Sequence, residues 1–198
     1  LPNNKKLNIG INKKNDFLKK LIFIYGGSQG SQNLIDNFLL LIKTIDNKEL
    51  NKLKFVIQCP KKQNKILKKN LKNLKVDYQI ESYFDDIDTI LSETDIAITR
   101  AGAGTINDLV RYKVPSIIFP LPNSIYNHQY YNAKFLLDKK ACIVINENNF
   151  DLNDYSKSFN RLINEKKYFE NMKKSISKIV LPDTNELILK TLLYKDNE

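Results

Sequence analysis

Thr99-Arg100-Ala101-Gly102-Ala103-Gly104-Thr105-Ile106-Asn107-Asp108 is the stretch on which the fold turns. The apolar run Ile96-Ala97-Ile98 before it reads as a buried strand, and Leu109-Val110 after it continue a short amphipathic helix. A strand that breaks into small residues and enters a helix points several backbone N–H groups at one spot. The partial positive charge of the helix N-terminus makes that spot suit an anion, typically phosphate. Asp108 then falls in the first helical turn.

The same alternation extends in both directions. Leu21-Ile22-Phe23-Ile24-Tyr25 is a buried strand that ends at Gly26-Gly27, and Ser28-Gln29-Gly30-Ser31 leads into a helix with Leu34, Phe38, Leu39 and Ile42 on one face. Residues 54–58 form a strand closed by Pro60, and Lys61 to Leu74 a lysine-covered helix with Ile66, Leu67 and Leu71 inward. Residues 76–80 make a third strand, and Asp85 to Leu91 a helix with Ile87, Ile90 and Leu91 buried. Beyond the opening stretch come a helix from Thr105 to Tyr112, a strand over 116–119, a helix over 127–138 and a sixth strand over 141–145. Strands alternating with helices of this length call for a parallel sheet covered on both faces. The fold class is therefore α/β, a Rossmann-like doubly wound sheet over residues 21–150. It follows a polar linker or the end of a preceding domain (1–20) and precedes a helical segment (151–198). In that segment Tyr155, Phe159, Leu162 and Ile163 form one packing stripe, and Phe169, Met172, Ile176 and Ile179 another. Asp183 and Glu186 occupy capping-box positions after Pro182. Ligands of such sheets gather at the carboxyl ends of the strands. Residues 26–31, Tyr83-Phe84, 100–105 and 120–129 should therefore line one rim.

Composition narrows the partners. The 198 residues are 42% hydrophobic, enough for a real core, and carry a formal charge of +10. No apolar run approaches the roughly 18–20 residues of a membrane span. A chain opening on Leu1 rather than Met reads as a fragment or a processed product. Phosphorylated small molecules, anionic membrane and nucleic acid all suit the charge, but lysines this scattered read first as a solvated surface. Cys59 and Cys142 show no paired spacing, which points to a reduced, cytoplasmic setting. With His128 the one histidine, neither a metal site nor a cofactor is expected.

Each candidate motif has a structural reading beside the functional one. The 26–31 loop is neither G-x-G-x-x-G nor a Walker A loop, and it serves either as a tight turn or as a phosphate cradle. Thr105…Asp108 fits a capping box, while Asp108 is equally placed to accept hydrogen bonds from a ribose diol. Arg100 holds phosphate or pairs with a carboxylate. Gln129 and Asn132, three apart, share a helix face that suits sugar hydroxyls. His128 is structural or a ligand contact, and Tyr83-Phe84 stack on a base or fill the core.

Taken in order, Gly-Gly-Ser-Gln-Gly (26–30), Phe-Asp-Asp (84–86), Thr-Arg-Ala-Gly-Ala-Gly-Thr (99–105), Pro-Leu-Pro-Asn (120–123) and His-Gln-Tyr-Tyr-Asn-Ala (128–133) resemble the C-terminal half of the MurG family. These peptidoglycan N-acetylglucosaminyltransferases convert lipid I to lipid II, and the resemblance runs from about Leu21 to the end. It implies the C-terminal domain of a GT-B enzyme that binds UDP-N-acetylglucosamine. Ser28, Gln29 and Gly30 would face the diphosphate, and Tyr83 and the backbone of Phe84 would border uracil. Gly104 and Thr105 would contact phosphate, Asp108 the ribose hydroxyls, and His128 with Gln129 the sugar. Beside the resemblance, the residues themselves add Arg100, Gly102 and Asn132 as donor-binding candidates. The reaction implied is an inverting, metal-independent attack by a lipid I hydroxyl, performed on the cytoplasmic face of an anionic membrane. No nucleic acid is expected.

The sequence departs from the family at three places. Asp108 stands where Glu is common, Ser31-Gln32 where Ala-Arg is usual, and Gln58-Cys59-Pro60 where Gln-Ser/Thr-Gly is usual. The family's N-terminal domain, with its acceptor site and candidate base, has no counterpart in these residues. The expectation is a chain that binds donor but does not transfer sugar alone. Two other readings are a single-domain subunit of another lipid-linked UDP-sugar transferase with a separate partner, and a basic nucleic-acid-binding domain.

Overall fold

The computed structural model describes residues 19–26 and 32–181. Six strands form the sheet: β1 (Lys20–Tyr25), β2 (Leu53–Gln58), β3 (Asp77–Glu81), β4 (Ile96–Thr99), β5 (Ser116–Ile118) and β6 (Cys142–Val144). All pair in parallel, in the order β3-β2-β1-β4-β5-β6. This is the doubly wound order whose direction reverses between β1 and β4, so the chain leaves those two strands on opposite sides and opens a crevice at their carboxyl ends. The helices are α1 (Gln32–Ile42), α2 (Asn47–Leu50), α3 (Lys61–Asn73), α4 (Ile87–Glu93), α5 (Ala103–Tyr112), α6 (His128–Leu137), α7 (Leu152–Asn164) and α8 (Lys166–Ser177).

The strands are apolar on both faces because both are covered. Ile22, Ile24, Phe55, Ile57, Ile96 and Ile98 point to one side, where α1, α3 and α7 supply Phe38, Leu41, Leu71, Tyr155 and Phe159. Phe23, Tyr25, Val56 and Ala97 point to the other, against Ile90, Leu91, Leu109 and Leu136 of α4, α5 and α6. Full burial of a side chain such as Phe23, Phe38 or Phe55 contributes about 1.5–3 kcal/mol each. β3 is an edge strand, which explains why it alternates where the inner strands are uniformly apolar.

The C-terminal helices belong to this core. Phe169 and Met172 of α8 join the first cluster and Ile176 the second. Lys20, at the start of β1, donates from Nζ to the carbonyls of Leu162 (3.2 Å) and Ile163 (3.0 Å), so a cation meets the negative end of α7. Side-chain caps start α4, where the Asp86 carboxylate accepts from the Thr89 N–H, and α7, where Asp151 accepts from Asn153 and Asp154.

Two local expectations fail. Ile66 is 60% exposed, because the inward stripe of α3 runs through Gln63, Leu67 and Leu71 at intervals of four, a turn edge away from Ile66. Gln63 keeps its place in that stripe by donating to Asp36 Oδ1 (2.8 Å) and the Gln32 carbonyl (3.3 Å). The Thr105…Asp108 capping box does not form either. Helix α5 starts at Ala103 with Gly102 as N-cap, so Thr105 lies inside the first turn and Asp108 on the second. The Pro182-Asp183…Glu186 capping reading falls outside the described residues.

Candidate functional site

A cleft of about 770 Å³ opens at the carboxyl ends of the strands, over the point where the strand order reverses. Its walls come from Tyr25 and Gly26 after β1, Gln58 of β2, Tyr83 after β3, the turn from Arg100 to Asp108 after β4, and residues 121–129 after β5. Tyr83 and the segments 100–105 and 120–129 therefore share one rim as expected; of 26–31 only Gly26 is described, and it lines the same cleft. Ser28, Gln29 and Gly30 lie outside the described residues.

The start of α5 is built for an anion. Gly102 at the N-cap has no side-chain oxygen to occupy the first amides, and the Ile106 N–H is the first to close back on the helix, onto the Gly102 carbonyl at 3.0 Å. The N–H groups of residues 103–105 are therefore the open ones at the positive end of a ten-residue helix. Gly104 costs helix stability relative to Ala, about 1 kcal/mol. Packing does not require it, for a Cβ there would meet nothing within 4 Å. A glycine that packing leaves optional, facing a cleft at a helix start, lets something else approach the backbone.

Asp108 sits one turn further along α5 in the same cleft, half-buried. Loss of hydration, then the charge of Asp88, push its carboxyl above the ordinary value, while Arg111 pulls the other way. No hydrogen bond to this carboxylate is present among the described residues. Asp108 is thus not at the helix cap, and it lines the cleft.

Three expected contacts act on the protein instead. Arg100 is 5% exposed; its Nη1 lies 2.9 Å from Glu147 Oε2 and donates to the Phe119 carbonyl at 3.1 Å. Glu147 Oε1 in turn accepts from Asn37 of α1 at 3.3 Å, so one carboxylate ties the β4 exit to α1. Of the two roles open to Arg100, the carboxylate pair is present. Asn132 donates from Nδ2 to the Ala101 carbonyl at 3.0 Å and does not line the cleft. Gln129 accepts at Oε1 from the N–H of Ala101 (3.2 Å) and of Leu121 (3.0 Å), which leaves its Nε2 end for a ligand. These two residues of α6 thus bracket the Ala101 peptide and fix how the chain enters α5.

The remaining aromatics and the histidine divide by exposure. The Phe84 ring is 2% exposed and packs edge-on against Phe23 at 5.9 Å, which fills the core, whereas Tyr83 is 63% exposed and lines the cleft. His128 donates from Nδ1 to the Ile125 carbonyl at 2.8 Å, which sets the tautomer and presents Nε2 outward. The loop before it is tightly wound, with Asn123, Tyr126 and Asn127 all left-handed. Asparagine tolerates that region, but Tyr126 does so at a cost.

Sequence reasoning missed Tyr25, Gln58 and Ile87 as wall residues. Two of them end strands, and the carboxyl-end rule applied residue by residue would have found them. Glu147 carries no local signal, being 47 positions from Arg100. Among the described residues no group of His, Cys, Asp and Glu could hold a metal ion, and no helix is long and apolar enough to cross a membrane.

Sheet order, crossovers and rim cleft define a Rossmann-like domain of the GT-B type. Residues 21–186 match the glycosyltransferase family 28 C-terminal domain, and the chain belongs to that family. A relative from Rickettsia felis is 34% identical over 158 residues, 79% of this chain and 44% of its own length. One from Campylobacter jejuni is 30% identical over 177 residues, 89% of this chain and 49% of its own. Both are named UDP-N-acetylglucosamine–N-acetylmuramyl-(pentapeptide) pyrophosphoryl-undecaprenol N-acetylglucosamine transferase. The crystal structure of Acinetobacter baumannii MurG superposes with a TM-score of 0.79 at 23% identity, covering 89% of this chain and 52% of that one. The chain spans about half the length of these relatives.

Proposed function

We propose that this domain binds UDP-N-acetylglucosamine and is the donor half of an inverting transferase that delivers N-acetylglucosamine to lipid I, forming lipid II for peptidoglycan. The observation that carries the reading is the pairing, in one cleft, of the uncapped start of α5 with the carboxylate of Asp108. Amides 103–105 take the diphosphate, and Asp108 accepts from the ribose hydroxyls about one helical turn away. Tyr83 offers its face to uracil beside the Phe84 backbone. His128 Nε2 and Gln129 Nε2 reach the sugar, and the family resemblance adds Ser28, Gln29 and Gly30, next in sequence after β1, as further diphosphate contacts. When the anomeric bond breaks, negative charge grows on the departing diphosphate, where the fixed dipole of α5 stabilises it. The acceptor hydroxyl attacks from the opposite face, which inverts the anomeric centre, with acceptor site and base supplied by a partner domain. A lipid-linked acceptor calls for this chemistry at the inner face of a membrane, and a charge of +10 is compatible with an anionic one.

Equilibrium dialysis with labelled UDP-N-acetylglucosamine tests the reading. Unlabelled UDP should displace the label fully, UDP-glucose less well, and ADP or oligonucleotides only weakly. Displacement by DNA or RNA with steep salt dependence, and none by UDP, would instead favour a nucleic-acid site.

A further inference from the structure

Two buried polar groups on the cleft floor lack a well-formed hydrogen bond among the described residues. Tyr25 ends β1 and is 2% exposed, and its hydroxyl has only Thr99 beside it. Gln58 ends β2 and is 5% exposed, and its Oε1 is likewise unmatched. Both line the cleft. Register makes them neighbours: Ile24 pairs with Ile57, and Tyr25 with Thr99, so Gln58, Tyr25 and Thr99 form a row across three adjacent strand ends. Alternation along the strands puts that row on the sheet face of Phe23 and Val56, beneath α4 and α5.

The Thr99 hydroxyl is the polar side chain beside the phenol, and it spends its proton on the Tyr25 carbonyl at 2.7 Å, so it offers the phenol a lone pair at most. The ring is fixed by stacking on Phe23, with centroids 4.3 Å apart and planes 8° from parallel. Burial, then the charge of Asp108, raise the phenol's pKa, so it stays a neutral donor within the field of the residue assigned to ribose. A buried donor or acceptor without a hydrogen-bond partner is costly, and of the six such atoms among the described residues these two alone belong to residues that line the cleft, where a ligand could supply the partner.

We propose that Tyr25 and Gln58 are ligand-binding residues that hydrogen-bond the nucleoside part of the bound donor, the Tyr25 hydroxyl donating and Gln58 Oε1 accepting. This rests on the donor-site reading above. A phosphate offers acceptors alone and would leave Gln58 Oε1 unmatched. A nucleoside offers donors and acceptors side by side, in its ring hydroxyls and on its base edge.

The test is Tyr25→Phe, with Gln58→Leu as the second variant, read by two measurements of opposite sign. In the free protein Tyr25→Phe removes an unsatisfied group, so the denaturation midpoint should hold or rise. Binding of UDP should weaken by about fivefold for either variant, the worth of one ordinary hydrogen bond. Competition by inorganic pyrophosphate should be the same for Tyr25→Phe as for the unaltered chain. UDP affinity unchanged in Tyr25→Phe would overturn the proposal. So would a lowered midpoint in the free variant, since the hydroxyl would then serve the fold, or an equal loss of pyrophosphate binding. Failure of the unaltered chain to bind UDP would overturn the donor-site reading itself, before any variant is compared.

Discussion

Asp108→Asn separates binding from folding at one side chain. The carboxylate accepts no hydrogen bond within the described protein, and hydration loss and Asp88 both disfavour its charged form. A ribose diol would give it charge-assisted hydrogen bonds worth about 1.5–3 kcal/mol, so the variant should bind UDP about 10- to 150-fold more weakly. Its effect on folding should run the other way. Because the native pKa is raised, the ionised carboxylate weakens folding at neutral pH, and that penalty fades as acidification protonates the group. Asp108→Asn should therefore be as stable as the unaltered chain or more so at pH 7, with the difference shrinking towards about pH 4. UDP binding by the unaltered chain should decline over the same range. Calorimetric titration gives the affinities and urea melts at several pH values give the stabilities. UDP affinity within about twofold of the original would refute the ribose assignment, being smaller than a typical single hydrogen bond. A loss of more than about 1 kcal/mol at pH 7 would show that Asp108 serves the fold rather than a ligand.

Three other substitutions bear on the same site. Gly104→Ala should stabilise the free domain by up to about 1 kcal/mol in urea melts, since its Cβ meets open space, yet weaken UDP binding by crowding the α5 amides. Glu147→Gln leaves the buried Arg100 charge without its carboxylate and should cost about 3 kcal/mol of stability, measured the same way. Lys113 closes α5 in the left-handed region (φ 58°), so Lys113→Gly should raise stability by about 1 kcal/mol and leave UDP binding unchanged.

The sheet was legible because its inner strands are short, uniformly apolar runs stopped by glycine or proline, and such runs between amphipathic helices have one economical arrangement. The helices were less so. Hydrophobic spacing put Ile66 inward because it cannot register that a glutamine, held by Asp36, occupies the stripe instead. The capping pattern at Thr105 misled because Ala103 and Gly104 extend the helix two residues earlier, a choice set by the β4 exit and by the Gln129 and Asn132 bonds to Ala101. Motif residues at strand ends gathered as expected around one cleft. What sequence could not separate was contact from support: Arg100, Asn132 and one end of Gln129 hold backbone or a carboxylate, and those partners lie 19 to 47 positions away, except Leu121 at eight.

Calorimetric titration of the chain with UDP-N-acetylglucosamine in the presence of EDTA tests the central claim most directly. Saturable binding of one molecule per chain, retained with UDP and largely lost in Asp108→Asn, is the predicted result. Absence of binding heat for UDP-N-acetylglucosamine and UDP at several temperatures, from a chain shown to be folded, would contradict it.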